Sequence, residues 1–277
     1  MRIGILGGTG PAGSALAARL ASVGYDVVVG SRSKYRAMET VDNLLERWSG
    51  RELSIGAADN AGAASADVVV IATPWDGATQ TAGSVADKLR GKVVVSMANA
   101  LTRIGKEFQP LVPPRGSVAA SVQAEVPDCL VAAALHHVPA KELGDLTEPI
   151  ESDVLICSDH RSAVEITNEI VGKIPNMRPL DAGELAMATP IESFTAVLLQ
   201  LNLHYKTRVA VKLTGIPEAK IAAERAASAA AARSAAAGAS GGSANSGNNA
   251  TGTKTAKNDG KAKAAASDRQ PEDAAPA

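Results

Sequence analysis

The 277-residue chain is poor in aromatic residues and in net charge, and both shortages bear on its partners. Aromatic residues make up only 3% of the chain, which argues against a platform on which nucleic-acid bases stack. The formal net charge is -1, and the basic residues are not clustered. A nucleic-acid partner is therefore not expected.

Cysteine is also scarce. The two cysteines, Cys129 and Cys157, are too few for a disulfide framework, and their spacing is not that of metal ligands. We interpret them as free thiols in a reducing cytoplasm. The chain shows no targeting signal and no apolar run long enough to span a bilayer. We therefore expect a soluble, cytoplasmic protein without a membrane partner and without a bound metal.

A glycine-rich turn follows the first apolar segment. Residues Arg2–Leu6 alternate as a short strand, and the turn after it fits the pattern G-x-G-x-x-G of a dinucleotide-binding site. The three glycines of that pattern are Gly8, Gly10 and Gly13. Pro11 suits the first position of a helix, whose free N–H groups would face an anion. Because a second strand, Asp26–Val29, completes the unit, we interpret the turn as a nucleotide site rather than a plain strand-to-helix joint.

The end of the second strand indicates which nucleotide binds. NAD sites usually have an Asp or Glu there to accept from the ribose 2′-hydroxyl, but no carboxylate follows this strand. Ser31 and Arg32 stand there instead, with Arg36 just beyond. A hydroxyl and guanidinium groups can hold a 2′-phosphate through charge-assisted hydrogen bonds. The sequence therefore favours NADP(H), and the alternative is a basic helix start that merely faces water.

Apolar runs and helical segments alternate along the chain, which predicts an α/β protein with a Rossmann-type, doubly wound, mostly parallel sheet. Strands are predicted at 53–57, 67–74, 92–96, 130–135, 154–157 and 177–180. Helices are predicted at 34–48, 77–89, 117–125 and 161–174. We expect residues 1–140 to form an NADP-binding domain, and residues 141–217 to form a small C-terminal part.

Polar residues follow three of the predicted strands. Ligands bind beyond the carboxyl ends of the strands in such sheets, so Thr73, Asn99 and the pair His136-His137 are candidates for ligand contact. A histidine at a strand end can act as a general acid, but lone histidines are more often structural. No further His or Cys residues supply zinc ligands at familiar spacing.

A long amphipathic helix is predicted from Ile191 onward. Its apolar residues recur at helical spacing, and we expect them to pack against the domain or a twin subunit rather than to hold a cofactor. They are Phe194, Val197, Leu198, Leu201 and Tyr205. Beyond Pro217 the chain is rich in alanine and could hold a solvated helix up to residue 237. Residues 238–277 lack apolar periodicity, so most of the tail 218–277 is predicted to be disordered.

Five segments, in this order and spacing, resemble the NADPH-dependent reductases of coenzyme F420, the deazaflavin coenzyme. They are GILGGTGPAG, VVVGSR, ATPW, ALHHVPA and RPLDAG. The resemblance covers about residues 1–213. It implies the reversible reaction of NADPH and F420 to NADP+ and reduced F420, by direct hydride transfer between nicotinamide C4 and deazaflavin C5. Such a transfer needs two aligned rings and the exclusion of water rather than an acid–base triad.

The resemblance also implies roles for individual residues. The pyrophosphate would lie against the turn at Gly8, Thr9, Gly10, Pro11 and Ala12. The 2′-phosphate would contact Ser31 and Arg32, with Arg36 at a position where relatives can have Lys. The nicotinamide would be lined by Thr73, Asn99 and Ala140. The deazaflavin would lie near His136, Val138 and Pro139, covered by the C-terminal part around Val209.

Two other functions stay open at this point. An NADP-dependent reductase of a small imine or carbonyl compound would want a proton donor, for which His136 or His137 is a candidate. A non-catalytic NADP(H) sensor would engage a partner through the tail or the long helix. For any of the three, the long helix favours a homodimer.

Overall fold

The computed structural model describes residues 1–224, 226, 227 and 230. Its strands are β1 (Arg2–Leu6), β2 (Asp26–Ser31), β3 (Ile55–Asp59), β4 (Val68–Ile71), β5 (Val93–Ser96), β6 (Leu101–Ile104), β7 (Glu107–Pro110), β8 (Leu130–Ala133), β9 (Ser152–Ile156) and β10 (Met177–Asp181). Its helices are α1 (Pro11–Ser22), α2 (Lys34–Arg47), α3 (Asn60–Ala63), α4 (Trp75–Gly83), α5 (Ala86–Leu89), α6 (Val118–Glu125), α7 (Ala140–Leu143), α8 (Arg161–Gly172) and α9 (Ala188–Tyr205).

Six of these strands form one parallel sheet in the order β3-β2-β1-β4-β5-β8. The strand order changes direction between β1 and β4, because β2 and β3 continue on one side of β1 and β4, β5 and β8 on the other. This confirms the predicted doubly wound α/β fold. In such a fold the crevice beyond the ends of β1 and β4 is the expected place for a ligand.

Two hydrophobic cores cover the two faces of this sheet. Val68 and Val70 of β4 belong to one core, and Val69 and Ile71 belong to the other. Because side chains along a strand alternate between faces, a strand buried on both faces must be apolar at every position. Full burial of a side chain such as Ile71 contributes roughly 1.5–3 kcal/mol. The continuous apolar run in the sequence is thus explained.

Some predicted bounds differ from the structure. The strand predicted at 53–57 lies at Ile55–Asp59, because its pairing with β2 runs from Val27 and Ile55 to Ser31 and Asp59. The helix predicted at 77–89 begins earlier, at Trp75, and is divided into α4 and α5. The Ser84 hydroxyl donates to the Thr81 carbonyl at 2.8 Å and so competes with the helical hydrogen bonds at this break.

The strand predicted at 130–135 ends early, at Ala133. Leu135 has a φ of 67°, in the left-handed region that a side chain with Cβ rarely adopts, so the chain turns out of the sheet just before His136. The hairpin of β6 and β7 was not predicted from the sequence. Its strands pair antiparallel around Gly105, which has a φ of 61°.

Outside the main sheet, β9 and β10 form a parallel pair, and α9 packs on β7 and α6. The sequence analysis predicted that the apolar residues of α9 are packed against another surface. Leu198 is buried, whereas Phe194, Val197 and Tyr205 are 41%, 50% and 66% exposed. These three residues therefore do not pack into the core of the described unit, and their packing against a twin subunit stays a prediction. The buried face consists instead of Ala188, Ile191, Glu192, Thr195, Ala196 and Leu198.

Residues 218–224 are helical, in agreement with a helix at the start of the alanine-rich segment. Apart from residues 226, 227 and 230, the rest of the predicted tail lies outside the described residues. The described residues belong to one compact unit, so a boundary near residue 140 stays a prediction. No helix in the described part of the chain is both long and apolar enough to cross a membrane.

Candidate active site

The glycine turn joins β1 to α1 by close backbone contacts. The Gly8 amide donates to the Gly30 carbonyl at 2.9 Å, which ties the turn to the end of β2. The left-handed residue of the turn is Gly7, with a φ of 72°, and a Cβ there would lie 2.6 Å from Thr73 Cγ2. The residue whose backbone conformation requires glycine is therefore Gly7, which lies one position before the first glycine of the sequence pattern.

Those three glycines serve different purposes. A Cβ on Gly13 would lie 2.8 Å from Gly8 Cα, so Gly13 lets α1 approach the turn. A Cβ on Gly10 would meet only the Gly7 carbonyl oxygen, at 3.6 Å. The space above Gly10 is thus free of protein atoms, as close approach of a ligand to the backbone requires. Pro11 is at the start of α1 as predicted, and Gly10 precedes it without a side-chain cap.

A cleft of about 960 Å³ opens above this turn, at the crevice between β1 and β4. It brings together six of the predicted site residues. These are Thr9, Gly10, Ser31, Arg32, Arg36 and Thr73. The cleft also faces the N-terminus of α4, which has no side-chain cap. Two helix N-termini, those of α1 and α4, therefore point their uncompensated N–H groups toward one space, and this favours an anionic ligand.

The end of β2 supplies the positive charge of the cleft. The Arg32 and Arg36 side chains form no ion pair with any described residue. Ser33 caps α2 by accepting from the Arg36 amide, and its own amide donates to the Ser31 hydroxyl at 3.3 Å. This arrangement places two unpaired guanidinium groups, a hydroxyl and a helix N-terminus at one edge of the cleft. Groups of this kind bind phosphate.

Two buried polar atoms of the cleft have no hydrogen-bond partner in the described part of the protein. They are the Thr73 hydroxyl at the end of β4 and Asn60 Oδ1 at the start of α3. Buried polar atoms in native proteins are rarely left unpaired, so these two fit groups whose partner is a ligand. With the open space at Gly10, they show that the cleft fits a dinucleotide.

Several residues of the cleft were missed by the sequence analysis. They are Asn60, Asp76, Gln80, Thr81 and Ser84. Asn60 directly follows β3, and the strand prediction ended too early to place it at the edge of the sheet. Polar residues recur at helical spacing from Asp76 of α4 to Ser84, which directly follows that helix. This spacing was a usable signal for a helix face that lines a cleft.

Gly8, Pro11 and Ala12 belong to the turn and to the start of α1 beside the cleft. The other predicted residues do not line this cleft but lie further along the same edge of the sheet. The neighbouring strands β4, β5 and β8 are spaced by about 4.8 Å, so the end of β8 is roughly 10 Å from that of β4. The Asn99 side chain donates to the His136 carbonyl at 2.9 Å and accepts from the Thr195 hydroxyl at 3.3 Å. Asn99 therefore ties the loop after β5 to the loop after β8 and to α9.

His136 is buried, and neither ring nitrogen makes a hydrogen bond to a described residue. Burial, helped by the neighbouring His137, lowers the pKa of His136 to about 3, although the main chain of Met97 and Ala98 opposes the shift. The ring is therefore neutral at physiological pH. It therefore has no imidazolium proton to donate.

His137 is also buried but has a partner. Its Nε2 lies 2.7 Å from the carbonyl oxygen of Asp153, and since that oxygen can only accept, Nε2 carries the proton. Burial lowers the pKa of His137 in spite of this contact. His137 therefore connects the end of β8 to β9, which is a structural role.

The remaining predicted residues surround the start of α7. Val138 is buried, Pro139 precedes the helix, and Ala140 is its first residue. The helix is held by α1, because the buried Arg19 guanidinium donates to the carbonyls of Leu143 and Glu142 at 3.0 and 3.1 Å. Arg208, next to Val209, forms an ion pair with Glu142 at 3.5 Å. The ion pair thus links the segment after α9 to α7.

Within the described part of the chain, no cluster of three or more His, Cys, Asp and Glu side chains is arranged to hold a metal ion. The polar groups of the site are instead backbone amides, hydroxyls, carboxamides and guanidinium groups. This set can bind and orient a phosphorylated ligand.

Comparisons with known proteins agree with this geometry. A family model described as "NADP oxidoreductase coenzyme F420-dependent" matches residues 2–100. The F420-dependent NADP reductase of Methanothermobacter marburgensis is 35% identical over 224 residues, which cover 79% of this chain and all of the relative. The reductase of the same name from Methanocaldococcus jannaschii is 35% identical over 222 residues, covering 78% of this chain and 99% of the relative.

A solved structure supports the fold as well. A crystal structure from Arthrobacter sp. FB24 has a TM-score of 0.65 and covers 77% of this chain and all of its own, at 22% sequence identity. At this level of sequence identity, the likeness shows the fold alone.

Proposed function

This chain belongs to the family of F420-dependent NADP reductases, and we infer that it transfers a hydride between NADP(H) and the deazaflavin coenzyme F420. The relatives carry the name of a reductase of this kind, so an imine or carbonyl reductase and a non-catalytic sensor are not favoured. The observation that carries the inference is the cleft at the glycine turn, which combines two helix N-termini with the unpaired Arg32 and Arg36.

The cleft residues would hold the phosphorylated dinucleotide. We assign the pyrophosphate to the turn at Gly8, Thr9, Gly10, Pro11 and Ala12. The amides there and the N-terminus of α1 favour a negative charge. We assign the 2′-phosphate to Ser31, Arg32 and Arg36, because charge-assisted bonds from guanidinium groups are strong and directional. We assign the unpartnered Thr73 hydroxyl, which follows β4, to the nicotinamide end of the dinucleotide.

The hydride site would lie further along the edge, where the end of β5 meets the end of β8. Asn99 and Ala140 would flank the nicotinamide, and His136, Val138 and Pro139 would face the deazaflavin, with Val209 covering it. The reaction supplied by the two bound coenzymes is hydride transfer between nicotinamide C4 and deazaflavin C5. The buried, neutral His136 contributes shape and water exclusion, and we assign it no proton transfer.

We also propose a homodimer and a cytoplasmic location. The outward face of α9 exposes Phe194, Val197 and Tyr205, an apolar stripe of the kind that oligomer interfaces cover. Both cysteines, Cys129 and Cys157, are free and buried, as expected of a protein in a reducing compartment.

A spectrophotometric assay tests this function. Mixing the protein with NADPH and oxidised F420 should bleach the visible absorbance of the deazaflavin, and the reverse mixture of NADP+ and reduced F420 should restore it. NADPH binding is measured separately by titration. Tight NADPH binding without any bleaching would contradict the proposed reaction and would favour a sensor.

A further inference from the structure

The segment that carries Val209 runs back over the C-terminal strands. We call residues 206–217 the strap. It begins at Lys206, which ends α9 with a left-handed φ of 52°. Near its start, the Val209 amide donates to Asn202 Oδ1 at 2.7 Å, and Arg208 pairs with Glu142 of α7 at 3.5 Å. The start of the strap is therefore fixed against α9 and against the helix that Ala140 begins.

The second half of the strap is held by one buried residue, Asp153 of β9. The Asp153 amide donates to the Val211 carbonyl at 2.7 Å, and its Oδ2 accepts from the Leu213 amide at 2.5 Å. The Asp153 side chain has no exposed surface. The strap is thus bound through the two main-chain groups that flank Lys212, and Val211 itself is buried.

Arg178 of β10 completes this contact. Its guanidinium forms two hydrogen bonds to Asp153, from Nε to Oδ1 at 2.6 Å and from Nη2 to Oδ2 at 2.7 Å. The same Nη2 donates to the Leu213 carbonyl at 2.8 Å. Burial alone would raise the pKa of Asp153, but the Arg178 guanidinium and the Leu213 amide hold it below its ordinary value. Asp153 is therefore ionised at neutral pH.

Asp153 also contacts the loop after β8, which we assign to the hydride site. Its carbonyl oxygen accepts from His137 Nε2 at 2.7 Å, and His137 directly follows His136 at the end of β8. Asp153 thus bonds through its carbonyl to the loop that follows β8, and through its amide and its carboxylate to the strap. The cleft at β1 and β4 has neither Asp153 nor Arg178 among its lining residues.

We propose that Asp153 and Arg178 are positioning residues, which hold the strap in register with the end of β8 and so shape the deazaflavin side of the site. This inference rests on the proposed function. Neither side chain needs to touch a coenzyme. Loosening the pair frees the strap and weakens deazaflavin binding, while the dinucleotide cleft keeps its geometry.

The substitution Arg178→Lys tests the proposal, because lysine keeps the positive charge but cannot form the paired bonds to Asp153 and Leu213. We expect KM for F420 to rise about tenfold, which corresponds to 1.4 kcal/mol of binding, with NADPH affinity within about twofold of wild type. Hydrogen exchange of residues 206–217 should accelerate in the same variant. The matched control is Arg161→Gln, which removes an exposed ion pair with Glu165 on α8 and should change neither property.

Each outcome decides the matter. Unchanged exchange of the strap, or faster exchange with an unchanged KM for F420, would overturn the proposal. An equal loss of NADPH affinity would assign the pair a general structural role instead. If Arg178→Lys does not fold, Asp153→Asn replaces it, since the carboxamide keeps the size of the side chain but gives up the ion pair with Arg178. A KM for F420 equal to that of wild type would then overturn the proposal. The exchange measurement needs no coenzyme, so it remains informative even if wild-type protein fails to bleach F420.

Discussion

Replacing Gly10 by alanine should separate cofactor binding from folding. The added methyl group would meet no protein atom closer than the Gly7 carbonyl oxygen at 3.6 Å, so it fits the protein without strain. Alanine restricts the unfolded chain, a gain of about 0.4–1 kcal/mol, but it is a poorer residue than glycine before the first turn of a helix. The free energy of unfolding should therefore stay within about 1 kcal/mol of wild type.

The same methyl group would occupy the space that we assign to the pyrophosphate. We expect the dissociation constant for NADPH to rise about 10- to 100-fold, or roughly 1.4–2.8 kcal/mol. Urea denaturation without cofactor measures the first quantity, and fluorescence titration with NADPH measures the second. The pair of measurements distinguishes a ligand surface from a packing surface.

Gly13→Ala is the matched control for this prediction. Its Cβ would lie 2.8 Å from Gly8 Cα, and such overpacking costs about 1–3 kcal/mol, against about 1 kcal/mol gained in helix propensity. This variant should lose stability even without cofactor. The reasoning is refuted if Gly10→Ala binds NADPH as tightly as wild type, or if it loses as much stability as Gly13→Ala.

Two further predictions concern α9. Burial raises the pKa of Glu192 to about 7, although its carboxylate accepts from the Val118 and Ala119 amides at 2.8 and 3.1 Å. Since the folded state then binds the proton more tightly than the unfolded state, wild type should lose stability relative to Glu192→Gln, by up to about 3 kcal/mol, as the pH rises from about 4.5 through 7. Urea denaturation at pH 5 and pH 8 checks this, and a stability difference independent of pH would contradict it. Val197→Glu adds a charge to the exposed apolar stripe and should convert a dimer to monomers in sedimentation, without a change in the free energy of unfolding of the monomer; an unchanged sedimentation coefficient would count against this interface.

The nucleotide-binding part of the fold could be read from the sequence because its signals are local. Gly8, Gly10 and Gly13 lie within six residues of each other, and Ser31 and Arg32 follow at the end of the next strand. The apolar runs of β4 and β5 identify buried parallel strands, because both faces of those strands are covered. Each of these features depends on neighbours in the chain.

The remaining features depend on contacts between distant residues, which no local pattern reports. Asn60 lies at the cleft because of the register with which β3 pairs with β2. The predicted strand was displaced by two residues, so the sequence analysis did not place Asn60 at the edge of the sheet. The network of Asn99, His136 and Thr195 joins three segments separated by up to 96 residues. The pairing of Asp153 with Arg178 likewise appears only when β9 and β10 lie side by side.

The central claim, that the cleft selects a phosphorylated dinucleotide, is tested most directly by comparing NADPH and NADH affinities of Arg32→Ala and wild type. A charge-assisted hydrogen bond contributes about 1.5–3 kcal/mol, so the variant should bind NADPH roughly 10- to 100-fold more weakly. Its affinity for NADH should stay within about twofold of wild type. Equal losses for both dinucleotides, or a wild type that prefers NADH, would contradict the account.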